Sequence, residues 1–367
     1  MADRKNADMG IAIVIGGNQR GGAERQVSLL SQELLRQGIA VTVFFMNRPV
    51  LFRKKLNFGQ VKCIYLWNSR YTSKISLLYF RFLLKRFNIQ LIHSFILEPI
   101  EYSATACVGT DIKHIGSIRD IFFSEDENAR TRLKDVSHYI AFITCNCTAM
   151  RDLMINLKVC QPEKTRVIYN GIVIEAQQQK SAMNHQNNFT VLFVGSLKGI
   201  KDPLSFVKAG LRVLESSKDY RFLIAGDGPL RGEIEQMIAA SRWTSNFILL
   251  GSLPNEEIPY NEVDLLVSTS RTEASSNAVL EALAHGIPVV GTAVGGTVEI
   301  LEGKEFGRLV ASGDIEAIAA GIKAFYAQRE EERRIISQQA RTFIMNNYSL
   351  KRMAQQYVDL YREVLQE

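Results

Sequence analysis

Ser270-Arg271-Thr272-Glu273-Ala274-Ser275-Ser276-Asn277-Ala278-Val279-Leu280-Glu281-Ala282-Leu283-Ala284-His285-Gly286 is the stretch on which the fold turns. Immediately before it, Val263-Asp264-Leu265-Leu266-Val267 reads as a short strand buried on both faces, the kind found in parallel sheets. Ser275, Ser276 and Asn277 offer capping oxygens ahead of the helically spaced Ala278, Leu280, Ala282 and Leu283. Gly286 and Pro288 stop that helix, and Ile287 to Gly291 begins the next strand. A strand, a turn of small residues and a helix start form an anion site, because backbone N–H groups and the helix dipole converge there. Glu273 on the loop and Glu281 on the helix flank the site. Carboxylates accept hydrogen bonds from hydroxyls, so the combination suits a diphosphate joined to a sugar.

The same strand–loop–helix grammar recurs on both sides of this stretch. Phe189 to Gly195 reads as a strand, followed by Ser196-Leu197-Lys198-Gly199-Ile200-Lys201-Asp202 and a helix from Leu204 to Leu214. A lysine on such a loop neutralises a diphosphate and stabilises it as a leaving group; the alternative is a surface lysine at a helix start. Ala225-Gly226-Asp227-Gly228-Pro229 is a third strand-to-helix loop, which fits a plain turn as well as a binding loop. Helices are expected over Leu230–Ala240, Ile315–Tyr326, Glu330–Asn346 and Leu350–Leu365. Towards the N-terminus, Ile11 to Ile15 runs as a buried strand into Gly16-Gly17-Asn18-Gln19-Arg20-Gly21-Gly22 and a helix. The spacing fits neither a Walker A loop nor a Gly-x-Gly-x-x-Gly fingerprint. It leaves a glycine pair, Gly21 and Gly22, that lets a phosphate or sugar approach the backbone, or a tight turn. Further strands are expected at Ile39–Met46, Val61–Trp67, Leu91–Phe95, Lys113–Ile118 and Tyr139–Thr144. Alternating strands and helices make each half an α/β domain on a parallel sheet.

Composition narrows the class. With 367 residues, 46% of them hydrophobic, the chain has material for two cores. No apolar run reaches 18 residues and the first nine residues are polar, which predicts a cytoplasmic protein without a membrane span. Five scattered cysteines predict reduced thiols, and Cys145-Asn146-Cys147 lacks the partner pair a zinc site needs. Residues 1–180 carry 25 Lys and Arg against 15 Asp and Glu, and between Glu33 and Glu98 there are eleven basic residues and no acidic one. That is either a solvated basic surface or an approach to a polyanion such as an anionic membrane face. Within it, Ser73 to Phe87 is an amphipathic basic helix, which either covers the sheet with most of its apolar set in the core or lies on a membrane surface. Glu175 to Asn188, rich in Gln, Asn, Ser and Ala, reads as a linker. Glu125-Asp126-Glu127 reads as a solvated turn rather than a metal motif.

Taken together, Gly21-Gly22-Ala23-Glu24-Arg25, Tyr169-Asn170-Gly171, Phe193-Val194-Gly195 with Lys201, Ala225 to Pro229, the pair Glu273 and Glu281, and Val294-Gly295-Gly296 with Glu299 resemble the retaining, nucleotide-sugar-dependent glycosyltransferases of the GT-B fold, family-four type. The resemblance implies two Rossmann-like domains facing a cleft. An acceptor-binding domain would span 1–170 and take back the last helix, 349–367; a linker would span 171–188, and a donor-binding domain 189–348. It implies a hexosyl transfer from a UDP- or GDP-sugar to a polysaccharide-precursor or glycolipid acceptor, with no metal or other cofactor and with a location in the cytoplasm or on the inner membrane face. In it Glu273 and Lys201 are the catalytic residues, Glu273 towards the sugar hydroxyls. Glu281 reaches the ribose, and Ser275, Ser276 and Asn277 supply diphosphate amides. Gly21, Gly22, Ser196, Lys198 and Gly226 complete the donor site. Two positions depart from the family pattern. Ser196 stands where an arginine is frequent, and Ser117-Ile118-Arg119-Asp120 stands where many members carry His-Asp. Arg119, always charged, is then a phosphate or acceptor contact, with Asp120 beside it. His93 and His114 are expected to be structural. The rival readings are a nucleotide-sugar epimerase or phosphorylase on the same fold, and a non-catalytic nucleotide-sugar binder.

Overall fold

The computed structural model describes residues 9–17, 21–47, 56–66, 74–119, 126–173 and 188–366. The chain divides into two compact units, Met1–Gly171 with Ser349–Glu367, and Ile172–Tyr348. Each is a parallel sheet with helices on both faces, a Rossmann-like domain. Residues 174–187, most of the expected linker, lie outside the described residues, as do Asp120 and Glu125.

The first unit contains β1 (Gly10–Ile15), β2 (Ala40–Phe45), β3 (Lys62–Tyr65), β4 (Leu91–Phe95), β5 (Lys113–Ile118), β6 (Phe142–Cys145) and β7 (Thr165–Val167), in the order β3-β2-β1-β4-β5-β6-β7. Its helices are α1 (Gly22–Arg36), α2 (Lys74–Arg86), α3 (Leu97–Cys107), α4 (Glu127–Val136) and α5 (Thr148–Asn156). Alternation along β1 divides its side chains between two cores. Ile11, Ile13 and Ile15 pack with Val27, Leu30 and Leu34 of α1, whereas Ala12 and Val14 face Phe80, Leu83 and Leu84 of α2. Both faces are covered, which is why the strand is continuously apolar. The first face is closed by α12 (Leu350–Gln366), whose Leu350, Met353, Ala354, Tyr357, Val358, Tyr361 and Val364 form one buried stripe at helical spacing.

One reading of the sequence changes here and another is refined. The strand expected from Tyr139 starts only at Phe142, because Ser137–Tyr139 is a 3₁₀ turn with Tyr139 exposed. The apolar set of α2 divides: Phe80, Leu83 and Leu84 are buried and Leu77 and Phe87 pack against the same core, but Ile75, Leu78 and Phe82, with Tyr79 beside them, face out. Phe80 fixes the inner side, meeting the Phe44 ring edge-on and stacking on Tyr102, each with centroids 5.2 Å apart.

The second unit contains β8 (Phe189–Val194), β9 (Tyr220–Ala225), β10 (Phe247–Gly251), β11 (Leu265–Ser268), β12 (Val289–Thr292) and β13 (Gly307–Val310), in the order β10-β9-β8-β11-β12-β13. Its helices are α6 (Pro203–Leu214), α7 (Arg231–Ala239), α8 (Asn277–Ala284), α9 (Gly296–Leu301), α10 (Ile315–Tyr326) and α11 (Glu330–Asn347). Both sheets share one topology. The strand order reverses at the first strand of each unit, β1 lying between β2 and β4, and β8 between β9 and β11. In open parallel sheets the carboxyl ends of the strands at such a reversal are where ligands bind.

Candidate active site

In the second unit the reversal brings two of the sequence's loops together. β8 pairs with β11 in the register Leu265↔Val191 and Leu266↔Leu192, so the loops leaving their carboxyl ends are neighbours. Thr269 Oγ1 donates to the carbonyls of Lys201 (2.9 Å) and Asp202 (2.8 Å), and the Arg271 N–H donates to Ile200 O (2.8 Å). Arg271 Nε also donates to Asp202 Oδ2 at 3.1 Å. Asp202, buried at a left-handed φ of 45°, caps α6 by accepting from the Ser205 N–H and Oγ. This stitching delivers Lys201 to Glu273: Nζ donates to Oε2, and Ser270 Oγ donates to the same oxygen at 3.3 Å. Their side chains are 28% and 14% exposed, so the pair is shielded from bulk screening yet open to a ligand. Glu273 is held from the other side by the loop after β12. Gly295 has φ +45°, and a Cβ there would lie 1.8 Å from Glu273 O; the Gly296 N–H donates to Ala274 O at 2.9 Å.

The start of α8 divides labour among its three small residues. Ser276 is the N-cap, its Oγ accepting from the Val279 N–H at 3.4 Å. Ser275 is buried and its Oγ has no hydrogen-bond partner among the described residues. Asn277 begins the helix. A buried hydroxyl without a partner costs free energy unless something else meets it, which fits a polar ligand at this helix start. Thr297 Oγ1, in the first turn of α9, is a second such buried oxygen. Four residues into α8, Glu281 is buried and accepts at Oε2 from the Tyr260 hydroxyl at 2.9 Å. The Tyr260 ring stacks on His285 with centroids 4.6 Å apart, which fixes that hydroxyl's direction.

The remaining sequence candidates are placed as follows. Ser196 and Lys198 are exposed on the loop ahead of Lys201. Gly226 lets two loops touch, since a Cβ there would fall 1.8 Å from Gly195 O. Gly21 and Gly22 are the N-cap and first residue of α1, at the carboxyl end of β1 in the other unit. A side chain on Gly21 would meet the carboxylate of Glu24, which burial raises above its ordinary pKa. Arg119 donates to Asn170 Oδ1 and, at 2.7 Å, to the Tyr357 hydroxyl, with its guanidinium 5.0 Å from the Phe95 ring centre. It thus ties β5 to the Tyr169-Asn170-Gly171 motif and to α12. His93 is buried, hydrogen-bonded through Nδ1 to the Tyr361 hydroxyl (2.6 Å) and through Nε2 to Ser117 Oγ (2.7 Å). His114 Nε2 is hydrogen-bonded to Ser94 Oγ at 2.6 Å. Cys147 Sγ accepts from the Met150 N–H and caps α5.

Sequence reasoning passed over Asp202, Thr269, Arg271, Tyr260 and Thr297. Asp202 had a local signal, an Asp directly before Pro203 at a helix start. The Tyr260–Glu281 contact joins residues 21 apart, through folding alone.

Comparison with known proteins follows the same division. Residues 20–176 match the family model described as Glycosyltransferase Family 4, and residues 188–328 match Glycosyl transferases group 1; together they take in most of the chain. The chain belongs to the family-four glycosyltransferases. Among curated relatives, 2-deoxystreptamine glucosyltransferase of Streptomyces kanamyceticus is 28% identical over 152 residues, 41% of this chain and 39% of the relative. N-acetyl-alpha-D-glucosaminyl L-malate synthase of Bacillus anthracis is 26% identical over 178 residues, 48% of this chain and 46% of the relative. These matches span less than half the length of each relative. The structure of HepE from Anabaena in complex with UDP and glucose superposes with a TM-score of 0.84 at 17% identity, covering 97% of this chain and 100% of that one. At that identity the likeness establishes the fold, GT-B.

Proposed function

We propose that this glycosyltransferase is a retaining hexosyltransferase that moves a sugar from a UDP- or GDP-sugar to a saccharide or lipid-linked acceptor of surface-polysaccharide or glycolipid assembly. The observation that carries the reading is the Lys201–Glu273 pair beside the start of α8, at the carboxyl ends of β8 and β11. The relatives named above are a glucosyltransferase and an N-acetyl-alpha-D-glucosaminyl L-malate synthase, and a solved neighbour holds UDP and glucose, which favours a hexose on a nucleoside diphosphate.

In the reaction the bond from the anomeric carbon to the diphosphate oxygen breaks and a bond from the acceptor oxygen forms on the same face. The acceptor proton passes to the departing diphosphate oxygen. What the protein supplies is preorganised charge. Lys201 and the first-turn amides of α8 meet the negative charge that grows on the leaving diphosphate. Glu273, relinquishing Lys201 to the phosphate, accepts from the sugar hydroxyls and orients the ring. Glu281, aimed by Tyr260, accepts from the ribose hydroxyls. No metal is assigned a step, because helix terminus and ammonium carry the compensating charge.

The test is a panel of UDP- and GDP-sugars with saccharide and lipid-linked acceptors, read by nucleotide release and by donor-induced thermal shift. Release with one donor and acceptor, with the anomeric configuration kept, is the expected result. Silence in both readouts across the panel overturns the reading. Nucleotide-sugar conversion without acceptor would instead make it an epimerase.

A further inference from the structure

Helix α2 has two apolar stripes, and only one of them is used. The inner stripe, Phe80, Leu83 and Leu84, is buried, with Leu77 and Phe87 packed against the same core. The outer stripe, Ile75, Leu78, Tyr79 and Phe82, has the i, i+3, i+4, i+7 spacing of a single helix face and is 76%, 65%, 40% and 61% exposed. Ile75, Leu78 and Phe82 are the three most exposed large hydrophobic side chains among the described residues. A helix that merely covers a sheet carries polar residues on its wet side. Nor can this helix roll to hide the outer stripe. Phe80 is locked between Phe44 and Tyr102, and Ser76 Oγ is hydrogen-bonded to the Tyr102 hydroxyl at 2.9 Å. Arg81 clasps the end of α3, donating to Ala106 O (2.9 Å) and to the carbonyl of Val108 (2.7 Å), itself an exposed apolar residue.

Charge selects the occupant. By helical spacing Lys74 and Lys85 line one flank of the outer stripe and Arg86 continues the stripe one turn beyond Phe82, all three exposed and without an ion pair among the described residues. No acidic residue occurs between Glu33 and Glu98 to offset them. A second copy of the chain is disfavoured. A two-fold contact would set Lys74, Lys85 and Arg86 against their own equivalents, and four side chains fall short of the ~800 Å² per partner of a standard interface. An anionic bilayer surface satisfies both features, because apolar side chains enter the boundary between headgroups and acyl chains while flanking cations meet lipid phosphates.

We infer that the outer stripe of α2 is a docking surface for an anionic membrane leaflet, with Ile75, Leu78 and Phe82 as the inserted side chains and Lys74, Lys85 and Arg86 as the headgroup contacts. It lies outside the donor site, and its test needs no turnover, so it stands or falls separately from the sugar-transfer reading. The experiment is co-sedimentation of the full chain with phosphatidylcholine vesicles, pure or mixed with phosphatidylglycerol, at low and high salt. The wild type is expected to pellet with the mixed vesicles at low salt and not with the neutral ones. Leu78→Ser with Phe82→Ser is expected to weaken that binding about tenfold or more, and Lys85→Glu with Arg86→Glu to abolish its dependence on phosphatidylglycerol. Both variants should keep the wild-type melting temperature, since the substituted side chains face outward. The inference is overturned if the wild type stays in the supernatant of the mixed vesicles, or if the variants pellet as it does. It is also overturned if light scattering finds a wild-type dimer that Leu78→Ser with Phe82→Ser dissolves while vesicle binding is unaltered.

Discussion

Lys201 and Glu273 are 72 residues apart, and each is the other's partner in the resting site. Removing either changes two things of different size. Lys201→Ala is expected to reduce kcat/KM about 10²- to 10³-fold, because a fixed cation at a leaving diphosphate is transition-state stabilisation that water cannot replace. Its effect on folding should be only about 1 kcal/mol, since the pair is partly solvated and the carboxylate left behind can reach water. Steady-state kinetics and a denaturant melt on one preparation separate the two; near wild-type turnover with a large loss of stability would make the pair a strut. The buried histidines give a prediction of the opposite kind, on stability without chemistry. Burial lowers His114 to about 3 and holds His93 well below its usual value, helped by the nearby Arg119 charge. In the unfolded chain both take up a proton near pH 6.5, so the stability that depends on neutral imidazoles is complete above that pH and is lost as pH falls towards 3. Each histidine contributes a slope of about 1.4 kcal/mol per pH unit below 6.5, so His114→Gln should roughly halve the slope from this pair between pH 6 and 5. Denaturant melts across that interval read the slope directly, and an unchanged slope would move the titration elsewhere.

Among elements, the loop after β12 makes the sharpest prediction. Gly295 sits at φ +45° and ψ −131°, a backbone region that side chains avoid, and a Cβ would overlap Glu273 O at 1.8 Å. Gly295→Ala is therefore expected to cost about 1–3 kcal/mol and to shift the Glu273 backbone, weakening donor binding although no side chain touching the donor has changed. A donor titration by thermal shift, set beside Gly303→Ala, checks this, because Gly303 also has positive φ but has open space around its Cβ position. If both variants bind donor alike, backbone strain and not displacement of Glu273 is the cause. The same loop marks how far the sequence could be read. The cap at Ser276 was legible, because capping side chains answer to local backbone geometry, whereas Val294-Gly295-Gly296 stood out only through the family resemblance. Strands such as Leu91–Phe95 and Lys113–Ile118, and the helix Ile315–Tyr326, were legible to the residue from hydrophobic period alone. β13, a four-residue edge strand with one buried side chain, carried too little apolar pattern to be seen. The outward stripe of α2 was hidden for the reverse reason: periodicity reports that residues are apolar, and only packing decides which of two apolar faces is covered. The stitching of Asp202 to Thr269 and Arg271 had no signal at all, because it depends on β8 and β11 becoming neighbours.

On the scale of the whole chain, the decisive feature is that the first unit is discontinuous. Its core is closed by Ser349–Glu367, reached only after all of the second unit. α12 places Tyr357 and Tyr361, among the largest fully buried side chains, against the strand layer of the first unit, and the Tyr361 hydroxyl is hydrogen-bonded to buried His93. The Tyr357 hydroxyl in turn receives Arg119. Long-range closure of this kind is entropically costly and late, so stability of the first unit should depend on the last helix more than on any local contact. Tyr361→Ala is expected to cost about 3–5 kcal/mol, from the cavity and from the hydrogen bond withdrawn from His93. The loss should be confined to one unit. Amide exchange in β1, β4 and β5 should accelerate, while β8, β9 and β11, strands of the other unit's sheet, should stay protected as in the wild type. Tyr361→Phe, which keeps the ring and removes only the hydroxyl, should recover most of the loss and leave about 1 kcal/mol for the histidine contact. Equal acceleration in both sheets would mean that the two units unfold as one cooperative body, and that α12 fastens the entire chain and not the first sheet alone.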